Sequence, residues 1–367
     1  MKGLSRISYK FFDLEMRNSW SIASRMGAGG RGLDFTRTVF VKLEDASGHL
    51  GIGEASPVPY YGESPETLAR FFEKIDPAVL SFEDPLMSDS AIQSIGDGNH
   101  AAKCALTTAL WDGAAKHRNM SLSSILQLSD EPTQLESSFT IGLDVPEMIE
   151  KKTREASEHG LLKLKVGLDD DFKNLEALRK SAPQKRLRLD ANEAWKTPES
   201  ALRKIEQFAE DPYIGCVEQA LPRTASAQDK AWLKQRSPLP LMADESYLSE
   251  KDSDEIDRFF DWVNVKLVKT GGPYQAVRAL KAAKAAKLKT MIGCMIESSF
   301  LISCAAHLMS LADTLDLDGA ALSRNDPFAG AQFANGTLNR ATLAPSNGVG
   351  AIPVHPDFLS TGWHLCG

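Results

Sequence analysis

Lys163-Leu164-Lys165, Asp190-Ala191-Asn192, Glu218-Gln219, Asp244-Glu245, Asn264-Val265-Lys266 and Asp316-Leu317-Asp318 recur along the middle of the chain as short strand-like segments, each carrying a charged residue. An uncharged rung, Gly293-Cys294-Met295, precedes the last, and successive rungs lie 22 to 28 residues apart. That pitch is about one strand, one helix and two loops, so it predicts the β/α units of a barrel. Barrels gather the carboxyl ends of their strands around one mouth, where their catalytic groups sit. The ladder would therefore bring lysines and carboxylates into a single site.

Outward from the ladder, Ser138–Leu143 reads as the first barrel strand and Val145–His159 as its helix, ended by Gly160. Residues 1 to about 60 are strand-rich in Leu4–Phe12 and Arg37–Glu44, with a turn at Gly48-His49-Leu50-Gly51. Between those strands Gly27, Gly29, Gly30 and Gly32 predict a mobile surface loop and, by hypothesis, a substrate lid. Pro65–Ile75 and Asn99–Lys116 read as helices, the second with Ala102, Ala105, Leu106, Ala109 and Leu110 on one face. The tail, rich in proline and glycine, is irregular and is expected to pack back onto the N-terminal unit.

A chain of 367 residues fits one barrel plus an additional domain. With 43% hydrophobic and 25% charged residues it has the composition of a soluble globular protein. A formal net charge of −7 argues against nucleic acid as a partner. Five widely spaced cysteines without a CxxC motif, and an N-terminus lacking an apolar leader run, predict a reduced, cytoplasmic protein. The longest apolar segment, Cys294–Ala312, is broken by Glu297 and His307, so no membrane span is expected.

Residues two apart in a strand share a face, so Lys163 and Lys165 are expected to enter the same cavity. Two ammonium groups that close repel, which favours loss of a proton from one and yields a base. Asp190, Glu218 and Asp244, on three neighbouring strand ends, suit a hard divalent cation, most simply Mg²⁺. Lys266 falls across the barrel from the second strand, where it could act on the opposite face of a bound carbon. Lys269 is a rival, but its odd offset from Lys266 points it off the cavity if the strand continues, and Gly271-Gly272-Pro273 ends the strand in any case. A cation on a substrate carboxylate would stabilise an enediolate as the adjacent proton leaves. Asp316 and Asp318 share a face and suit a substrate ammonium. Taken alone, each feature has a plainer reading: a solvent-facing strand for the lysines, a helix cap for one aspartate, an acidic turn before Gly319 for the last pair. Seven histidines form no HxH or HExxH pair, so the sequence offers no zinc motif.

With these residues in hand the chain resembles the enolase superfamily, its muconate-lactonising subgroup, and within it the dipeptide epimerases. The resemblance spans essentially the whole length and rests on the Lys163-Leu164-Lys165, Asp190-Ala191-Asn192, Glu218-Gln219 and Ala243-Asp244-Glu245-Ser246 matches taken together. It implies an α/β fold, a modified TIM barrel of (β/α)7β form over 131–325. An α+β capping domain over 1–130 would be completed by a C-terminal segment, 326–367. It further implies that Lys165 and Lys266 are the acid/base pair, that Lys163 assists and contacts the substrate carboxylate, and that Asp190, Glu218 and Asp244 bind Mg²⁺. Asp316-Leu317-Asp318-Gly319 is similar to the DxD motif that holds a dipeptide's free α-ammonium. Thr140, Cys294 and Ile296 fall at further substrate-contacting positions.

The activity so implied is inversion of the α-carbon of a dipeptide's C-terminal residue by a two-lysine 1,1-proton transfer, in a homo-oligomer. L-Ala-D/L-Glu is one candidate substrate. Relatives acting on Ala-Glu use a capping-loop arginine, and here Ile22-Ala23-Ser24-Arg25 and Arg31 leave its counterpart open. Glu218-Gln219-Ala220 stands where relatives commonly read EQP, a change expected to be mild. Rival readings are an N-acylamino-acid racemase, o-succinylbenzoate synthase or muconate-type cycloisomerase on the same scaffold and, more remotely, a non-catalytic binding barrel.

Overall fold

The computed structural model describes residues 3–20, 33–344 and 347–366. The glycine-rich stretch from Gly27 to Gly32, with Arg25 and Arg31, lies outside the described residues. Strands β1 (Leu4–Trp20), β2 (Leu33–Asp45) and β3 (Leu50–Ala55) form an antiparallel sheet with β2 in the middle. Helices α1 (Pro65–Phe72), α2 (Pro85–Gln93) and α3 (His100–His117) follow. The alanine-rich face expected of α3 has a specific use. A Cβ on Gly51 would stand 2.0 Å from the Ala109 carbonyl oxygen, and one on Gly53 1.9 Å from that of Ala105. Small residues on both sides let strand and helix backbones touch, and α3 is almost wholly buried as a result.

After a short strand β4 (Gln134–Glu136), eight parallel strands run in sequence order around the barrel. They are β5 (Phe139–Ile141), β6 (Leu161–Lys165), β7 (Arg186–Asp190), β8 (Ile214–Glu218), β9 (Leu241–Ala243), β10 (Trp262–Lys266), β11 (Lys289–Gly293) and β12 (Thr314–Asp316). The ring closes where the Ser138 amide donates to the Leu315 carbonyl at 3.1 Å and the Leu317 amide to Ser137 Oγ at 2.8 Å. Outer helices are α4 (Pro146–Glu155), α5 (Asp171–Ser181), α6 (Pro198–Phe208), α7 (Ala227–Arg236), α8 (Pro273–Ala285) and α9 (Ser299–Ala306). Between β9 and β10 only two 3₁₀ turns, Glu250–Ser253 and Ile256–Arg258, fill the helical layer. Ser249–Glu255 there is almost entirely polar and has no apolar stripe to bury.

The first strand runs eight residues past Phe12 because its second half pairs with Phe35–Arg37 of β2 and also finds partners on the barrel side. The Glu15 carbonyl accepts the Arg324 amide at 2.9 Å, and Met16 bridges to Ser323. The tail adds β13 (Phe328–Ala329), β14 (Gln332–Ala334), β15 (Thr337–Asn339), β16 (Ile352–Pro353) and β17 (His364–Leu365). It pairs with the first sheet, with His364 opposite Tyr9 and Leu365 opposite Ser8. Part of it goes elsewhere, because β15 pairs with β4 at the start of the barrel. Capping sheet and barrel share a buried seam at Glu54, whose carboxylate accepts Thr38 Oγ1, the Ser298 amide and hydroxyl and the Leu301 amide at the start of α9. No helix among the described residues is long and apolar enough to cross a membrane.

Candidate active site

Strand pleating aims alternate side chains into the barrel, and the last inward residue of each strand reaches the mouth. Register makes the match literal: Lys165 lies beside Asp190 in the β6–β7 ladder, and Asp190 beside Glu218 in the β7–β8 ladder. All three carboxylates of Asp190, Glu218 and Asp244 are buried, and an oxygen from each lies within 4.8 Å of the others. Lys163 Nζ bridges two of them to a further acid, 2.9 Å from Asp190, 2.8 Å from Glu218 and 2.8 Å from Asp316. Lys165 Nζ donates to Asp190 at 2.6 Å and to Asn192 Oδ1 at 2.9 Å. Lys266 Nζ, four strands round an eight-stranded ring from Lys165, donates to Asp244 at 2.9 Å.

These contacts decide the charge states. Burial alone would drive the Lys163 ammonium to give up its proton, but Asp190, Asp316 and Glu218 carry its pKa well above the lysine range. Repulsion from Lys165 therefore does not govern Lys163. Burial likewise opposes Lys266, and Asp244 outweighs it and raises the pKa. For Asp190 burial pushes up while Lys163 and Lys165 pull down, leaving it at about 2. Glu218 is raised to about 7 by burial and then by Asp190, and Glu245 to about 8 by burial and then by Asp244.

Lys269 corrects the strand-alternation argument. The strand stops at Lys266, and one helical turn over Leu267–Thr270 swings Lys269 back beneath the site. Its Nζ donates to Asp244 Oδ1 at 2.6 Å and to the Asn264 carbonyl at 2.9 Å. Asn264 was also missed as a site residue, although it sits two residues before Lys266 and the same alternation rule would have found it. Its Nδ2 donates to Glu218 at 2.8 Å. The neighbouring rung must be glycine, since a Cβ on Gly293 would fall 2.3 Å from Asn264 Oδ1. Gln219 ties two rungs together: its Oε1 accepts the amides of Asp244 and Ser246 at 3.0 and 3.1 Å, while its Nε2 donates to the Leu221 carbonyl at 2.8 Å. Those bonds are made with Ala220 next in the chain.

Asp316 and Asp318 both line the cavity, as do Thr140, Cys294 and Ile296. Ser138 Oγ donates to Asp316 at 2.6 Å and the Thr140 amide donates to Asp318 at 2.6 Å. Burial, then Asp316, raises the Asp318 pKa to about 6. The cavity has a volume of about 450 Å³, within the range of small-molecule sites. Its roof is the loop Ser56–Tyr61 from the capping domain. There the Arg223 guanidinium stacks on Tyr60 at 3.9 Å and pairs with Glu193 at 3.3 Å, joining roof to barrel.

The residues present fit a divalent cation. Six carboxyl groups (Asp190, Glu218, Asp244, Glu245, Asp316, Asp318) face four ammonium groups (Lys163, Lys165, Lys266, Lys269), an excess of two negative charges when all are ionised. The ligand set is all oxygen, the preference of Mg²⁺ rather than of a softer metal.

Comparison with known proteins agrees with this geometry. Residues 147–353 match the family described as enolase C-terminal domain-like, and residues 26–127 match the mandelate racemase / muconate lactonizing enzyme N-terminal domain. An L-Ala-D/L-amino acid epimerase of Pedosphaera parvula is 45% identical over 337 residues, 92% of this chain and 96% of that protein. A substrate-liganded L-Ala-D/L-Glu epimerase from Bacillus subtilis superposes with a TM-score of 0.87 at 27% identity, covering 96% of this chain and 99% of the other. A dipeptide epimerase from Cytophaga hutchinsonii, complexed with Mg and D-Ala-L-Val, superposes with a TM-score of 0.86 at 25% identity over 99% of both chains.

Proposed function

The chain belongs to the enolase superfamily, in the mandelate racemase and muconate lactonizing enzyme family, and on that premise we propose that it is a Mg²⁺-dependent dipeptide epimerase. The observation that carries the reading is the placement of Lys165 and Lys266 on opposite sides of one cavity, with an oxygen-ligand cluster between them and Asp316 and Asp318 on the wall.

In this reading Asp190, Glu218 and Asp244 hold the cation. When bound, Mg²⁺ supplies charge that offsets these carboxylates and steadies negative charge growing on the substrate carboxylate. Lys163, held charged by its three acids, faces that carboxylate. One of Lys165 and Lys266, neutral at the moment of transfer, takes the proton from the α-carbon of the C-terminal residue. The other, charged, returns a proton to the opposite face, so the configuration inverts and the two roles exchange in the reverse direction. Asp318 and Asp316 receive the free α-ammonium, Thr140 orients Asp318 through its amide, and Cys294 and Ile296 flank the peptide. Asn264, Lys269 and Gln219 are positioning residues, acting on Glu218 and Asp244.

Among the described residues lining the cavity, the only bases are Lys163, Lys165 and Lys266, all engaged with carboxylates. Met16, Leu33, Val58, Tyr60, Met295 and Ile296 supply an apolar wall. This supports an uncharged or apolar side chain in the variable position ahead of glutamate. All five cysteines are free, which supports a reducing, cytoplasmic setting.

Incubation of a dipeptide library in D₂O with Mg²⁺ tests the reading: deuterium must enter at the C-terminal α-carbon, and its absence with every dipeptide would sink the proposal. Apolar C-terminal residues should exchange faster than glutamate. Racemases and cycloisomerases of the same scaffold act on substrates without a free ammonium. Asp318→Asn should therefore cut dipeptide exchange roughly 10- to 100-fold, the worth of a charge-assisted hydrogen bond. Unchanged exchange in that variant would move the ammonium site elsewhere.

A further inference from the structure

A second group of metal-ligating side chains lies outside the barrel. Asp45 ends β2, His49 follows it across the β2–β3 turn, and His117 ends α3. One ligand atom from each lies within 4.8 Å of the other two. The histidines are 68 residues apart in sequence, so no local spacing betrays them.

The arrangement is organised before any ligand arrives. Asp45 Oδ1 accepts the amides of Ser47 and His49 at 2.8 and 2.9 Å, which pins the carboxylate to the turn. Its Oδ2 lies 2.8 Å from His49 Nδ1, which fixes that ring. The His117 ring meets the His49 ring edge-on, with centroids 4.9 Å apart at 80°. The His49 side chain is 46% exposed and that of Asp45 15% exposed, so the group opens to solvent and keeps room for water.

Two imidazole nitrogens and one carboxylate oxygen make a donor set for zinc and similar transition-metal ions, with water in the fourth position. Mg²⁺ prefers oxygen alone. We propose that Asp45, His49 and His117 form a surface site for a zinc-class divalent ion that ties the β2–β3 turn to the end of α3. The site stands at the far end of β3 from the Glu54 seam, about 16 Å away along the strand. It is separate from the catalytic cluster in place and in ligand chemistry.

Titration calorimetry of Zn²⁺ into the full chain, with excess Mg²⁺ keeping the barrel carboxylates engaged, tests the site. One equivalent should bind to the wild type, and affinity should fall about tenfold or more in both His49→Ala and His117→Ala. Zn²⁺ should also raise the thermal midpoint of the wild type and not of the variants, whose midpoints without zinc should match the wild type. Absence of zinc binding, or equal binding by the wild type and both variants, would overturn the proposal, the latter by assigning the metal to thiols or to the barrel.

Discussion

Asp190 at the barrel mouth and Glu54 at the seam with the capping sheet are both buried carboxyl groups, yet their proton affinities move in opposite directions. Burial pushes each up, but Lys163 and Lys165 bring Asp190 down to about 2. Glu54, whose described donors are all neutral, is left at about 7. The difference teaches how the chain divides its labour. At the strand ends it sets charge against charge, so that Asp190, Asp244 and Asp316 stay ionised, as the proposed cation and dipeptide require. At the seam it uses a carboxyl group as a hydrogen-bonding joint between two units, where ionisation serves no purpose and costs free energy.

The first way to break the comparison is to remove a strand-end lysine that lines the cavity. Lys266→Ala should lower epimerisation by roughly 10³-fold or more, as expected for loss of a proton-transfer group, while Mg²⁺ binding measured by calorimetry persists. Full activity in that variant would put the second proton elsewhere. A lysine that does not reach substrate should act on stability instead. Lys269→Met leaves Asp244 paired with Lys266 and strips the Asp244 and Asn264 carbonyls of a donor, and breaking a buried pair in this way costs about 3–5 kcal/mol. Urea unfolding should report that loss, and a change within about 0.5 kcal/mol would mean that Lys269 is incidental to Asp244.

The same contrast explains what could be read from the sequence. The barrel was legible because strand period and unit length leave a regular trace, and charged residues interrupting otherwise apolar strands stand out. Lys163, Lys165, Asp190, Glu218, Asp244 and Lys266 all emerged that way and are joined in one cluster of ion pairs. Lys269 did not, because a single helical turn after β10 breaks the period on which the argument ran. The missing helix between β9 and β10 and the extension of β1 to Trp20 were hidden for a related reason, since each depends on what a segment can or cannot pack against. Glu54 has no local signature at all. Its role exists only once Ser298 and Leu301, more than 240 residues later, are folded against it.

That seam supplies the mildest and most selective test. The Glu54 carboxyl binds its proton more tightly in the folded chain, at about 7, than at its ordinary 4.5. The folded state therefore holds more protons than the unfolded state between those values, and stability must fall as pH rises through that window and level off above it. The full effect is of order 3 kcal/mol. Other raised acids such as Glu218, Glu245 and Glu297 slope the same way, so the useful quantity is the difference from Glu54→Gln, which cannot ionise. Unfolding midpoints at pH 5 and pH 8 should show the wild type losing up to about 3 kcal/mol more than the variant. Parallel curves would mean that Glu54 titrates normally at the seam, that hydroxyl and backbone donors hold it charged, and that the contrast with Asp190 owes nothing to lysine.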